Sequence, residues 1–195
     1  MKRFKSLEGK RFVYESYDRL LELWGVDKEE LDIDTLYGTT HVIISGNRKN
    51  PPLLLFHGSG TNSAMDWLYN IRELANLFFV VAVDFFEGAG KSEPNESYKI
   101  FDLALWVDEI LNHLKIYQTN ITGISYGGYM TLAYAAKNPD RVNKIVPMAF
   151  FLPEKDLKTI LLISRSLITC LPAILNPTEE NAMKFLKKIT GPNFD

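Results

Sequence analysis

Ile121-Thr122-Gly123-Ile124-Ser125-Tyr126-Gly127-Gly128-Tyr129 is the stretch on which the reading of this chain turns. Ile121 to Ile124 predicts a strand, Tyr129 to Ala136 predicts a helix, and between them Gly123 and Gly127 flank a serine in a tight turn. A side chain that must project from a strained strand-to-helix turn tolerates only small neighbours. The spacing therefore makes Ser125 a candidate nucleophile on a nucleophile elbow. A serine hydroxyl becomes an effective nucleophile only when a base takes its proton, yet His41, His57 and His113 all precede Ser125 and no histidine follows it.

Outward from this turn, solid apolar runs alternate with helical patterns. Pro52 to Phe56 and Phe78 to Val83 read as buried strands, Arg141 to Phe151 as another, and Thr35 to Ser45 as a β-branched and aromatic one ending at the turn Gly46-Asn47. Helical spacing is found over Arg11 to Trp24, about Met65 to Ala75, and Ile100 to Ile116. Such alternation predicts an α/β fold, a mostly parallel sheet flanked by helices on both faces. The expected organisation is a helical extension over 1–34, a core over 35–152, and from 153 to 195 helical segments broken by Pro172 and Pro177.

Composition limits the function. Of 195 residues, 46% are hydrophobic and 24% charged, as in an ordinary globular domain, and 22 basic against 24 acidic side chains leave a net charge of −2. That balance offers no broad attraction to nucleic acid or an anionic membrane, so neither is expected as a partner. The apolar stretch Ile160 to Leu175 contains Arg165 and Pro172 and is short for a span, so it reads as a buried or lid helix. One cysteine, Cys170, cannot form an internal disulfide, and the basic start lacks a signal-peptide core, so a cytoplasmic setting is expected.

His57-Gly58-Ser59-Gly60 follows the strand Leu53 to Phe56. A loop of small residues at a strand end can aim backbone N–H groups at a developing oxyanion, which makes Ser59 a candidate donor, with Tyr126, the residue after the serine, as the other. Gly58 and Gly60 support the turn, and His57 belongs to it structurally rather than as a base. Gly90-Lys91-Ser92 is the tail of a phosphate-binding loop, but Phe85 stands where the leading glycine is required and Glu93-Pro94 does not open a helix. Phe85, Phe86, Trp67 and Met130 could line an apolar acyl site or simply fill the core. No metal site and no cofactor is expected.

Taken in order, these motifs, with Asp84, Gly88-x-Gly90-x-Ser92, Pro94 and Asn138-Pro139-Asp140-Arg141-Val142, resemble the α/β-hydrolase family, particularly its bacterial carboxylesterase-like members. The resemblance covers about residues 35–151. It implies a serine esterase that attacks the acyl bond of a small-molecule substrate through an acyl-enzyme on Ser125, with Ser59 and Tyr126 as the oxyanion hole and 153–195 as the start of a lid. In that family an acid and a histidine follow the nucleophile after two further strands. A βαβ unit takes about 30 residues, so the 44 residues after Phe151 cannot hold both the helical segments and those strands. The expectation is a truncated hydrolase lacking its last two strands, nearly inert alone. Glu154 and Asp156 could occupy an alternative acid position but are read as surface charge. The exposed edge at Val142 to Phe150 would favour self-association or capture of a missing C-terminal segment. The other reading is a non-catalytic remnant or binding module that keeps the pocket without the triad.

Overall fold

The computed structural model describes residues 4–95, 100–150, 168–176 and 178–190, and its contacts divide the chain into two compact units, Met1–Phe151 and Leu152–Asp195. In the first unit, α1 (Leu7–Glu22) starts at Ser6, whose hydroxyl accepts the Gly9 amide at 3.0 Å. Side-chain oxygens at this position satisfy donors that the helix leaves orphaned. Tyr17, Leu21 and Trp24 form its buried stripe, while Phe12 faces solvent.

The strand expected over 35–45 is β2 (Gly38–Ser45), but the stretch before it, read as helical extension, holds a further strand, β1 (Lys28–Thr35), paired antiparallel with β2 from Lys28 opposite Ser45 to Thr35 opposite Gly38. β1 was hidden by its charge, because Glu29, Glu30, Asp32 and Asp34 leave only Leu31 and Ile33 as apolar positions. Charges on an outer strand blunt an edge that would otherwise pair with another chain.

The remaining elements are β3 (Pro52–Phe56), α2 (Ser63–Asp66), α3 (Ile71–Leu77), β4 (Phe79–Val83), β5 (Glu93–Pro94), α4 (Leu103–His113), β6 (Thr119–Ile124), α5 (Tyr126–Lys137) and, after a 3₁₀ turn over Pro139–Arg141, β7 (Val142–Met148). One helix expected near Met65 to Ala75 is thus two, split at residues 67–70. The sheet order is β1-β2-β4-β3-β6-β7, with β5 on β2. β4, β3, β6 and β7 are parallel, and β1 and β2 are antiparallel to their neighbours.

Strand alternation sends side chains to two cores. Val42, Ile44, Leu54, Phe56, Val81 and Val83 pack with Trp106, Ile110, Met130 and Tyr134 of α4 and α5 on one face. Ile43, Leu53, Leu55, Val80 and Ala82 pack with Tyr17, Leu21, Trp24, Trp67 and Ile71 on the other. The period of two along each strand is what lets one sheet bury both faces under helices. Because β3 and β6 are parallel neighbours, with Phe56 opposite Gly123, the turn after β3 and Ser125 after β6 emerge side by side at the carboxyl ends.

At the far side β7 has one strand neighbour among the described residues, β6, and Val146 on it is 58% exposed. The second unit contains α6 (168–175) and α7 (Glu179–Thr190). Pro172 lies inside α6 instead of breaking it, and Pro177 falls outside the described residues. Residues 160–167 of the stretch read as a buried or lid helix also lie outside them, and its described part exposes Ile168, Leu171, Ile174 and Leu175.

Trp106 ties α4 to the sheet, its buried indole N–H donating to the buried Thr40 hydroxyl at 2.7 Å. Trp106→Phe, which strips that hydroxyl of its donor and leaves a void, is expected to cost about 1–3 kcal/mol in urea unfolding. An unchanged midpoint would contradict the role given to this bond.

Candidate active site

Ser125 is forced into an unusual backbone state by its position. Its φ of 55° and ψ of −115° lie where a residue with a Cβ rarely stays, at a cost of about 1–3 kcal/mol. Bonds on both sides hold it there. The Ser125 N–H donates to the Met148 carbonyl of β7 at 2.8 Å, and the Ser125 carbonyl accepts the Tyr129 N–H at 3.1 Å, opening α5. A methyl group at Gly123 would collide with the Gly127 carbonyl, and one at Gly127 would collide with the Phe56 carbonyl and stand 2.6 Å from that of His57. The turn is therefore closed against β3 and the start of its own helix. Ser125 is half-buried, and its hydroxyl makes no capping bond to α5.

The 57–61 turn packs directly beside it, for a Cβ on Gly58 would stand 3.6 Å from Ser125 Cβ. His57 is fully buried and both of its nitrogens are engaged. Nε2 accepts the Phe85 N–H at 3.0 Å, which places the ring proton on Nδ1, 2.7 Å from the Gly58 carbonyl it donates to. The ring stacks on Phe85 with centroids 4.1 Å apart. The Gly58 N–H donates to Asp66 Oδ2 at 2.7 Å, and Thr61 Oγ1 lies 2.8 Å from both Asp66 Oδ2 and the Gly58 carbonyl. Ser59 and Gly60 are exposed. Among the described residues, the Ser59 N–H donates to none of these partners.

Asp84, fully buried at the end of β4, anchors the loops behind this turn by accepting the Ser63 N–H at 2.9 Å and the Lys91 N–H at 2.7 Å. Ser92 Oγ donates to the Asp84 carbonyl at 2.8 Å and accepts the His41 N–H at 2.7 Å. Burial together with the neighbouring Asp84 holds the Tyr17 phenol far above its ordinary pKa. Lys91 Nζ is 2.6 Å from both Asp18 and Glu30 and lies over the Tyr17 ring. Burial works against its charge, but bonds to the two carboxylates outweigh that and raise its pKa. A lysine so engaged, followed by β5 and not by a helix, cannot grip a phosphate as the tail of a P-loop would. His41 is held between Asp32 at 2.7 Å and Glu30 at 3.1 Å, and His113 is exposed at the end of α4. Among the described residues, no histidine hydrogen-bonds Ser125.

Phe85, Phe86, Trp67 and Met130 are buried in the two cores, so packing accounts for them. The aromatic surface beside Ser125 belongs to Tyr126 and Tyr129, 40% and 37% exposed, with rings stacked 5.9 Å apart. Burial, then Glu87 and Tyr129, raise the pKa of the Tyr126 phenol. These rings edge an open groove of about 470 Å³ completed by Phe101, Leu103 and Ala133. Sequence reading missed Tyr129, although positions 126, 129 and 133 form one helical stripe, and it missed Asp66, whose partners only folding brings near. A larger cavity of about 870 Å³, lined by Gly25, Lys28, Ser45 and Arg48 among others, includes no residue of either turn. Glu154 and Asp156 lie outside the described residues.

A family model for the alpha/beta hydrolase fold matches residues 51–164. The chain is 32% identical over 144 residues to carboxylesterase YbfK of Bacillus subtilis (strain 168), a match that covers 73% of this chain and 48% of the relative. It is 35% identical over 144 residues to the uncharacterized carboxylesterase nap of the same organism, covering 72% and 48%. The crystal structure of carboxylesterase CesB (YbfK) from Bacillus subtilis matches with a TM-score of 0.78 at 27% identity, covering 97% of this chain and 64% of that one. The chain thus spans about half the length of the curated relatives it matches. With a strand–serine–helix turn at the carboxyl end of a sheet buried on both faces, and a family match across more than half its length, the chain belongs to the α/β-hydrolase fold family.

Proposed function

We propose that Ser125 is the nucleophile of an esterase that hydrolyses small carboxylic esters through an acyl-enzyme. The carrying observation is the left-handed Ser125 backbone packed against the 57–61 turn, since strain of this kind persists only where surrounding structure enforces it and is concentrated at functional sites. The carboxylesterase names of the relatives support the same chemistry. In the proposed reaction the Ser125 hydroxyl adds to the ester carbonyl carbon while its proton passes to a base, and the carbonyl oxygen becomes an oxyanion. The N–H groups of Ser59 and Tyr126 donate hydrogen bonds to that oxyanion. Tyr126 is the first residue of α5, where backbone N–H groups have no partner within the helix and the dipole favours negative charge. Collapse of the intermediate expels the alcohol with a proton returned from the base, and water then releases the acid and restores Ser125.

Both nitrogens of His57 are occupied and His41 is held by two carboxylates, so the base is proposed to come from the part of the relatives' length that this chain does not span. The same observation favours a second reading, a binding module that keeps the turn without catalysis. Incubation with a fluorophosphonate of the chain joined to the segment that would supply the base separates the two, because labelling of Ser125 far faster than of free serine contradicts the binding-module reading.

In the complete polypeptide, Ser125→Ala is expected to lower kcat for p-nitrophenyl acetate by at least about 10³-fold. Equal turnover by mutant and parent would remove Ser125 from the mechanism. Ser125→Gly tests the strain separately. About 1–3 kcal/mol of relieved strain should exceed the roughly 0.5–1 kcal/mol of extra chain entropy that glycine brings, for a net gain of about 1 kcal/mol in urea unfolding, whereas a lower midpoint would show that no strain is stored.

We also propose that the outer edge of β7 associates with a second copy of the chain or with a further segment, because Val146 is exposed on a strand with a single neighbour among the described residues. Sedimentation of residues 1–195 should show concentration-dependent dimers that Val146→Lys weakens. A monomer at every concentration would contradict association with a second copy.

A further inference from the structure

We infer that Asp66 is a positioning residue for the oxyanion turn, an inference that rests on the reading of Ser59 as an oxyanion donor. The Ser59 N–H shares a peptide plane with the Gly58 carbonyl, and in a trans peptide the two point in opposite directions. Whatever fixes that carbonyl therefore aims the Ser59 N–H. His57 Nδ1 holds the carbonyl at 2.7 Å and Thr61 Oγ1 lies 2.8 Å from it. Asp66 fixes the other coordinates of the turn, since one carboxylate oxygen takes the Gly58 N–H at 2.7 Å and lies 2.8 Å from Thr61 Oγ1. It thus grips the turn at both ends and keeps the Gly58 N–H engaged.

The platform beneath Asp66 is itself anchored. α2 is capped by Asn62, whose side-chain oxygen accepts the Met65 N–H at 2.9 Å and whose amide nitrogen donates to the Ala89 carbonyl at 3.1 Å. The Ser63 N–H donates to buried Asp84 at 2.9 Å, and the Asp66 N–H closes onto the Asn62 carbonyl at 3.1 Å. With its backbone so placed, the carboxylate transmits the geometry of α2 to the turn beside Ser125. Its charge is met by two donors, which limits repulsion of an oxyanion developing nearby. The need is thus for an acceptor oxygen at this position and not for a negative charge, so asparagine should replace Asp66 and alanine should not.

Three forms of the complete polypeptide, the parent, Asp66→Ala and Asp66→Asn, test this through kcat and KM for p-nitrophenyl acetate, normalised to the serine titrated by a fluorophosphonate, and through hydrogen exchange of the Gly58 amide. Normalisation removes any loss that comes only from unfolded protein. Asp66→Ala is expected to lower kcat per reactive serine by about ten- to a hundredfold, the size of effect that misplaced donors produce, with KM within about twofold and the Gly58 amide exchanging about tenfold faster. Asp66→Asn is expected to restore both. Parental kcat per reactive serine in Asp66→Ala, or unchanged Gly58 exchange, overturns the inference. A parent that neither labels nor turns over overturns the Ser125 reading and with it the catalytic purpose of the turn, while Gly58 exchange in Asp66→Ala still decides whether the carboxylate holds it.

Discussion

The bond from the Ser125 N–H to the Met148 carbonyl is the interaction on which the rest of the site depends. It joins the end of β6 to the end of β7 while the Ser125 backbone stands in a conformation that a side-chain-bearing residue avoids. Such a state survives only if leaving it would break several contacts at once. Here the contacts are the Met148 bond, the first turn of α5, and the close approach of Gly123 and Gly127 to neighbouring backbone. Every element feeding these contacts is part of the two-faced core, so the geometry of one hydroxyl is carried by the packing of the sheet.

A second constraint acts from the other side of the turn. His57, Asp66 and Asp84 are polar groups drawn from three different segments, and each bonds backbone groups of the neighbouring loops. In a low-dielectric interior, satisfied polar groups specify one arrangement because any alternative would strand a buried donor or acceptor. His57 shows the consequence. Its ring bridges the Phe85 N–H and the Gly58 carbonyl, which ties the end of β4 to the turn after β3.

Much of this was legible in the sequence. The strand–serine–helix turn and the buried strands β3, β4 and β6 follow from apolar periodicity and from the small residues that tight turns require. What stayed hidden depends on charge and distance. β1 is lost in the stretch read as helical extension because its alternation is carried by Leu31 and Ile33 alone, and its carboxylates acquire meaning only beside His41, Lys91 and Arg48. Asp66 sits eight residues from Gly58, and local patterns do not show that α2 folds back to bring them together. The split between α2 and α3 is equally local, since Trp67 continues the apolar pattern while its backbone leaves the helix.

The central claim is that two backbone amides and one hydroxyl converge where a carbonyl would be attacked. A structure of the protein after reaction with a phosphonate ester tests this most directly. The account requires phosphorus bonded to Ser125 Oγ and a phosphonyl oxygen within about 2.7–3.1 Å of the backbone nitrogens of Ser59 and Tyr126, the range at which oxyanion donors act. An adduct on another residue, or an oxygen directed away from both amides, would contradict it.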